Sequence, residues 1–213
     1  MELEHILPQD IERRSFEIIT EELRDRNIQL DEDKAFLIKR AIHTTADFDY
    51  ASTIRVSEGA IAKMANMIRS GAHIVTDTNM GLSGINKSEL AKYGGEVHCF
   101  MADEDVANEA KTRGVTRATV SMERATRLQE DVIFAIGNAP TALINLRDMY
   151  DKGIYTPQFI IGMPVGFVNV EYAKELIMDT DIPYIINRGR KGGSNVAAAI
   201  CNAILYEMRN GKL

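Results

Sequence analysis

The sequence predicts an α/β fold: a single three-layer α/β/α domain on a mostly parallel, doubly wound sheet of about five strands. Three observations carry this. Past residue 71, five short apolar segments rich in β-branched residues alternate with stretches of helical period, the pattern of buried strands joined by crossover helices. The chain has 213 residues, 45% apolar and 26% charged, which suits one medium domain with a sizeable core. The segments end in Gly, Asn, Pro and polar residues, the chemistry of strand-to-helix turns.

Taken in order, Pro8 and Asp10 open an apolar-periodic stretch (Ile11, Phe16, Ile18, Ile19, Leu23) that reads as a helix over about 8–26. Asp31-Glu32-Asp33 begins a second helix, carrying Phe36, Leu37 and Ile42 to about Thr44. Ser57-Glu58-Gly59 starts a third, ending at Gly71. These N-terminal helices, 8–70, are expected to pack on an α/β body over 71–213, so that 1–213 is one domain. The strand segments are Ala72–Thr76, Glu96–Met101, Val132–Gly137, Gln158–Gly162 and Pro183–Asn187. Helical patterns lie near 86–93, 103–126, 138–151, 169–179 and 193–209. Right-handed crossovers place helices on both faces of such a sheet.

Several function classes drop out. No apolar run approaches the ~20 residues of a membrane span. Met1-Glu2-Leu3-Glu4-His5 is acidic and lacks the basic start and apolar core of a signal peptide. The two cysteines, Cys99 and Cys201, form no CxxC, so neither a disulfide framework nor a cysteine zinc site is expected, and a reducing cytoplasm is the default. A net charge of −6 gives no global attraction for nucleic acid or anionic membrane. An anionic substrate must therefore be caught by a local basic cluster.

Ligands of open α/β sheets bind beyond the carboxyl ends of the strands. Four such ends stand out: 76–79, 137–140, 162–166 and 187–195. The last, Arg188-Gly189-Arg190-Lys191-Gly192-Gly193-Ser194-Asn195, sets three cations beside a glycine pair, with Ser194 or Asn195 placed to cap the final helix. A helix amino terminus there suits phosphate or carboxylate. Nucleotide motifs are absent: in Gly81-Leu82-Ser83-Gly84-Ile85-Asn86-Lys87-Ser88, Ile85 and Asn86 separate the glycine from Lys-Ser, and 188–195 does not match GxGxxG.

The second cluster is Arg40-Ala41-Ile42-His43 with Asp47 and Asp49 beyond it. Arg40 and His43 share a helix face, and imidazole donates and accepts protons near neutrality. Arg40 favours its neutral form and Asp47 or Asp49 the charged one; spacing leaves the choice open. Arg113, Arg117, Arg124 and Arg127 form a stripe if one helix carries them, facing either an anion or water. Ser15, beside Arg13 and Arg14, is a polar position near an apolar face.

The blocks Glu12-Arg13-Arg14-Ser15-Phe16-Glu17-Ile18-Ile19, Arg40–His43, Asp47–Tyr50, Thr76–Met80, Gly137–Leu143, Pro164–Val168 and Arg188–Ser194, in this order, resemble the precorrin-8 methylmutases of cobalamin biosynthesis. The resemblance implies an isomerase that moves a methyl group from C-11 to C-12 of a ring-contracted tetrapyrrole bearing many carboxylates, giving hydrogenobyrinate or cobyrinate. It implies no cofactor, no protein-held metal and a homodimer; any cobalt arrives inside the substrate. It places the proton donor and acceptor on His43 and substrate contacts on Ser15 and Arg40. Arg117, Arg190 and Ser194 are further expected carboxylate contacts. Residues 7–15 and 47–49 look more like the cobalt-substrate branch. Ala46 departs from a pattern that favours Gly, so a different bend after His43 is expected. The competing readings are a non-catalytic corrinoid carrier and an α/β enzyme binding a phosphorylated metabolite at 188–195.

Overall fold

The computed structural model describes residues 6–213; the reading of Met1–His5 concerns residues outside it. A 3-10 turn, Pro8–Asp10, leads into α1 (Ile11–Asp25), followed by α2 (Glu32–Thr45), α3 (Tyr50–Thr53), β1 (Ile54–Val56) and α4 (Ala60–Arg69). The body then runs β2 (His73–Thr76), α5 (Asn79–Gly84), α6 (Lys87–Ala91), β3 (Val97–His98), α7 (Glu104–Arg113), α8 (Arg117–Ala125), β4 (Val132–Ile136), α9 (Pro140–Asp151), β5 (Phe159–Gly162), α10 (Val170–Met178), β6 (Tyr184–Asn187) and α11 (Ser194–Arg209).

Among the described residues the sheet has six strands in the order β1-β6-β5-β4-β2-β3. All neighbours are parallel except β1, which runs antiparallel to β6 with Ile54 opposite Asn187. The five body strands follow the doubly wound order with a topological switch between β2 and β4, where such folds open a ligand crevice. The expected count of about five strands is thus one short. β1 is a three-residue edge strand whose identity comes from pairing with a segment far along the chain.

The pleat sorts the core into two layers. Ile74, Ile133, Ala135, Phe159, Ile161 and Ile185 face a core shared with α1, α2, α4 and α11. Val75, Phe134, Ile136, Ile160 and Ile186 face the opposite core, shared with α8, α9 and α10. Helices cover both faces, so the strands are apolar throughout rather than alternating. In α1, Ile19 and Leu23 are buried, and in α2 Leu37, Ile38, Ala41 and Ile42 are. α2 packs along α11, which contributes Val196, Ile200, Ile204 and Leu205. Among the described residues no helix is long and apolar enough to cross a membrane.

Two helices differ from expectation. The single helix over 103–126 is two, α7 and α8, because Gly114 takes a left-handed conformation (φ 67°) and Thr116 caps α8 by accepting the Thr119 N–H. The stretch 79–84, which carried no helical expectation, is a short helix capped by Thr78.

Candidate active site

The described structure brings the predicted residues into two neighbouring groups. The first lies on α1 and α2. His43 is exposed near the carboxyl end of α2, and its ring stacks on Phe16 of α1, centroids 5.2 Å apart and planes 21° off parallel. One helical turn earlier, Arg40 places its guanidinium 4.7 Å from the centre of the Phe16 ring and 5.4 Å from that of Tyr206 on α11. Arg40 also donates to the Glu12 carboxylate. That hydrogen bond holds the Glu12 carboxyl below its usual range; partial burial opposes it, and the charges of Arg40, His43 and Arg209 reinforce it. Ser15 is half-buried one residue from Phe16 and donates to the Ile11 carbonyl at 2.9 Å. Beside these residues a groove of about 1160 Å³ runs between α1, α2 and α11, lined by Glu12, Phe16, Arg40 and Tyr206.

The charged side chains Arg40, Asp47 and Asp49 flanking His43 are all paired. Arg40 is bound to Glu12, while Asp47 and Asp49 are bound to Lys191 at 2.5 and 2.6 Å. Ala46 caps α2 in the left-handed region (φ 55°, ψ 25°), its N–H donating to Ile42 O at 2.7 Å. Alanine thus holds a conformation that glycine favours, at a cost of roughly 1–2 kcal/mol.

The second group is built on the strand ends. At the switch point Asp77 is buried and its carboxylate accepts the N–H groups of Gly137, Asn138 and Ala139 at 2.8, 2.8 and 2.5 Å. Burial pushes its carboxyl up and the three donors pull it back down. Asp77 thereby ties the end of β2 to the turn after β4. Gly137 is required there, since a Cβ would sit 2.5 Å from Ser194 Cα. Across this contact Thr78 donates to the Ser194 hydroxyl at 2.7 Å. The expectation that Ser194 or Asn195 caps α11 is not met. The N-cap is Gly193, with φ 132° and ψ 158°, a backbone that side chains disfavour, and no side chain caps the helix. Among the described residues, the first-turn N–H groups of this 16-residue helix thus meet no side-chain cap, an electropositive end suited to carboxylate.

The loop 188–193 is held from below. Lys174 is buried and donates to the carbonyls of Gly189 and Lys191 at 2.7 and 2.9 Å; burial lowers its ammonium to about 8. Asn187 donates to the Lys191 carbonyl at 2.8 Å and accepts from Thr53 at 2.6 Å. Arg190 is exposed, 3.5 Å from Glu171 and over the ring of Phe167 at 5.6 Å. Phe167 and Val168 are 85% and 76% exposed, which leaves an apolar strip beside the cations. Arg188 pairs with Glu175 instead.

Arg117 opens α8 and is exposed. The preceding Thr116 bonds Thr141 in the first turn of α9 at 3.0 Å, which ties the start of α8 to the start of α9. Two other arginines of the proposed stripe are tied to carboxylates. Arg113 is bound by Glu109 and Glu123, and Arg124 by Asp103 and Asp105. Reading the sequence alone missed Asp77, Asn187, Lys174 and the Phe16–His43 stack. Among the described residues no group of three or more His, Cys, Asp or Glu stands close enough to hold a metal ion.

The structure is a doubly wound α/β frame with an exposed imidazole on one helix and cations on the strand-end loop tied to the turn after that helix, an arrangement suited to proton transfer on an anionic ligand. The family model described as Precorrin-8X methylmutase matches residues 10–207. A cobalt-precorrin-8 methylmutase of Priestia megaterium is 42% identical over 93% of this chain and 88% of its own. The cobalt-precorrin-8 methylmutase of Salmonella typhimurium is 41% identical over 95% and 96%. The crystal structure of a precorrin-8X methylmutase from Thermus thermophilus superposes with a TM-score of 0.84 at 34% identity, covering 96% of this chain and all of that one. The chain belongs to the precorrin-8X methylmutase family, and is an enzyme of the isomerase class acting in cobalamin biosynthesis.

Proposed function

We propose that this enzyme converts cobalt-precorrin-8 to cobyrinate by moving a methyl group from C-11 to C-12 of the macrocycle. No atom is gained or lost, so the protein has only to mould the ring and to lend and recover one proton. His43 gives that proton to the macrocycle and takes one back as the product tautomer settles. Arg40, Arg117, Arg190, Ser15 and Ser194 receive the acetate and propionate groups, with the amino end of α11 as a further carboxylate seat. The exposed Phe167–Val168 strip lies against the flat face of the ring. The relatives named for the cobalt substrate favour the cobalt form, and cobalt enters as part of that substrate. The enzyme works as a cytoplasmic homodimer, with the cleft near the subunit boundary.

The observation that carries the reading is the placement of His43: exposed, stacked on Phe16, and one turn from an arginine aimed over the same ring. The test is His43→Ala, assayed with the methylated precursor by visible spectroscopy. The variant is expected to fold and bind product while losing turnover. Full turnover overturns the role of His43. Tight corrinoid binding by the wild type with a spectrum unchanged over time identifies a carrier instead. Sedimentation equilibrium tests the homodimer.

A further inference from the structure

We propose that Lys191 is a positioning residue: its ammonium locks the turn that ends the His43 helix onto the loop that carries Arg190 and Ser194. The inference rests on the methylmutase reading and goes beyond it, because Lys191 itself is assigned no contact with substrate.

The geometry is that of a bridge between two segments far apart in sequence. On one side, α2 stops at Ala46, three residues past His43, and the chain reverses through 46–49. That reversal is held locally by Thr45 Oγ1 accepting the Asp47 N–H (3.3 Å) and Asp47 Oδ1 accepting the Asp49 N–H (2.9 Å). Both carboxylates then turn their Oδ2 atoms to the same Nζ of Lys191. On the other side the Lys191 backbone is already fixed, its carbonyl accepting from buried Lys174 and from Asn187. A second seam lies six residues along from Asp47, where Thr53 O accepts the Arg188 N–H (2.9 Å) and Thr53 Oγ1 donates to Asn187. Between these seams the proton-transfer helix and the carboxylate-binding loop move as one body. Without the Lys191 bridge, the reversal is tied to the loop through the Thr53 seam and the β1–β6 pairing that continues from it, both further along the chain from His43.

The side chains of Lys191, Asp47 and Asp49 are 47%, 30% and 67% exposed, so the bridge adds little to global stability. Its worth is geometric, and a displacement of about 1 Å at a reacting group costs on the order of 100-fold in rate. Two carboxylates on one ammonium also leave that ammonium neutralised, which makes it a poor acceptor site for a further anion.

The test compares Lys191→Met, Lys191→Arg and Asp47→Asn/Asp49→Asn in the full-length enzyme, reading kcat, KM for the methylated precursor, and the Kd of bound product. Lys191→Met is expected to lower kcat about 10- to 100-fold with KM and Kd within about twofold. Lys191→Arg, which can span the same two carboxylates, is expected to restore kcat to within a few-fold of wild type. The double Asp variant is expected to reproduce the loss, and joining it to Lys191→Met to add nothing further. A rise in KM or Kd with kcat unchanged overturns the proposal in favour of direct substrate contact. Unchanged kinetics in Lys191→Met also overturns it. Should Lys191→Met fail to fold, the double Asp variant breaks the same bridge from its other end, and unchanged kinetics there overturns the proposal equally. A wild-type enzyme that neither binds nor converts corrinoid overturns the methylmutase reading itself, a result separable from all of these.

Discussion

Asp77 is the residue whose loss can be worked most directly from the structure. Its side chain is 1% exposed, and three backbone N–H groups converge on its two oxygens. In Asp77→Ala the buried Gly137 N–H loses its acceptor outright, a cost of about 1–3 kcal/mol. Asn138 lies at the surface and Ala139 is half-buried. Water replaces the carboxylate there, so each N–H gives up about 0.5–1.5 kcal/mol at most. Against this gross loss of about 2–6 kcal/mol stands the relief of a desolvated carboxylate, about 1–2 kcal/mol in the other direction because the three amides already solvate it. The balance is a net destabilisation of about 1–4 kcal/mol, read from urea unfolding followed by circular dichroism, out of a total of roughly 5–15 kcal/mol. For a chain of this length the thermal midpoint should fall by about 2–16 °C. Asp77→Asn keeps the shape and one acceptor oxygen and should lie between. A loss under about 1 kcal/mol in Asp77→Ala refutes the view that this carboxylate holds the β4–α9 turn.

Three further outcomes follow from the same geometry. Arg40→Met removes a charge-assisted contact and should weaken corrinoid binding by about 1.5–3 kcal/mol, with the salt dependence of the Kd reduced; an unchanged Kd in titration removes Arg40 from the contact set. Gly192→Ala drives a Cβ far inside contact distance of the Met163 carbonyl oxygen, so the loop must lift. Affinity for product should fall and stability drop by about 1–3 kcal/mol, and a neutral result by calorimetry contradicts the close approach. Glu12 has its carboxyl held below the ordinary value near 4.5 by Arg40. The stability it contributes is therefore present above that ordinary value and lost as pH falls through the lowered folded value. The group is partly exposed, so the difference between wild type and Glu12→Gln should be under about 1 kcal/mol at neutral pH and shrink on acidification. A difference that grows toward acid has the wrong sign.

What could be read ahead of the structure was what local chemistry decides. Every body strand was visible, because segments such as Val132–Ile136 are apolar and β-branched whatever lies beside them. Arg40 and His43 were paired by helical spacing alone. Gly114 followed by Thr116 was also a legible stop and start, passed over in favour of one long helix. Other features depend on partners far along the chain. Ile54-Arg55-Val56 is a strand only because β6 is there to pair with. Asn79–Gly84, with its poor helix formers, is helical because it is capped by Thr78 and fits under α11, where a Cβ on Gly84 would approach Ala198 to 2.9 Å. Asp77 read as one polar residue in a turn, and nothing local announces that three amides sixty residues on will converge on it.

The two borders of the sheet are strands of three and two residues, β1 and β3. Borders that short offer almost no row of open amides on which a second copy could continue the hydrogen-bonded ladder. Self-association by ribbon extension, the usual route to runaway polymer, is thereby blunted at both flanks, and any orderly pairing of subunits has to be made by helical faces and loops instead.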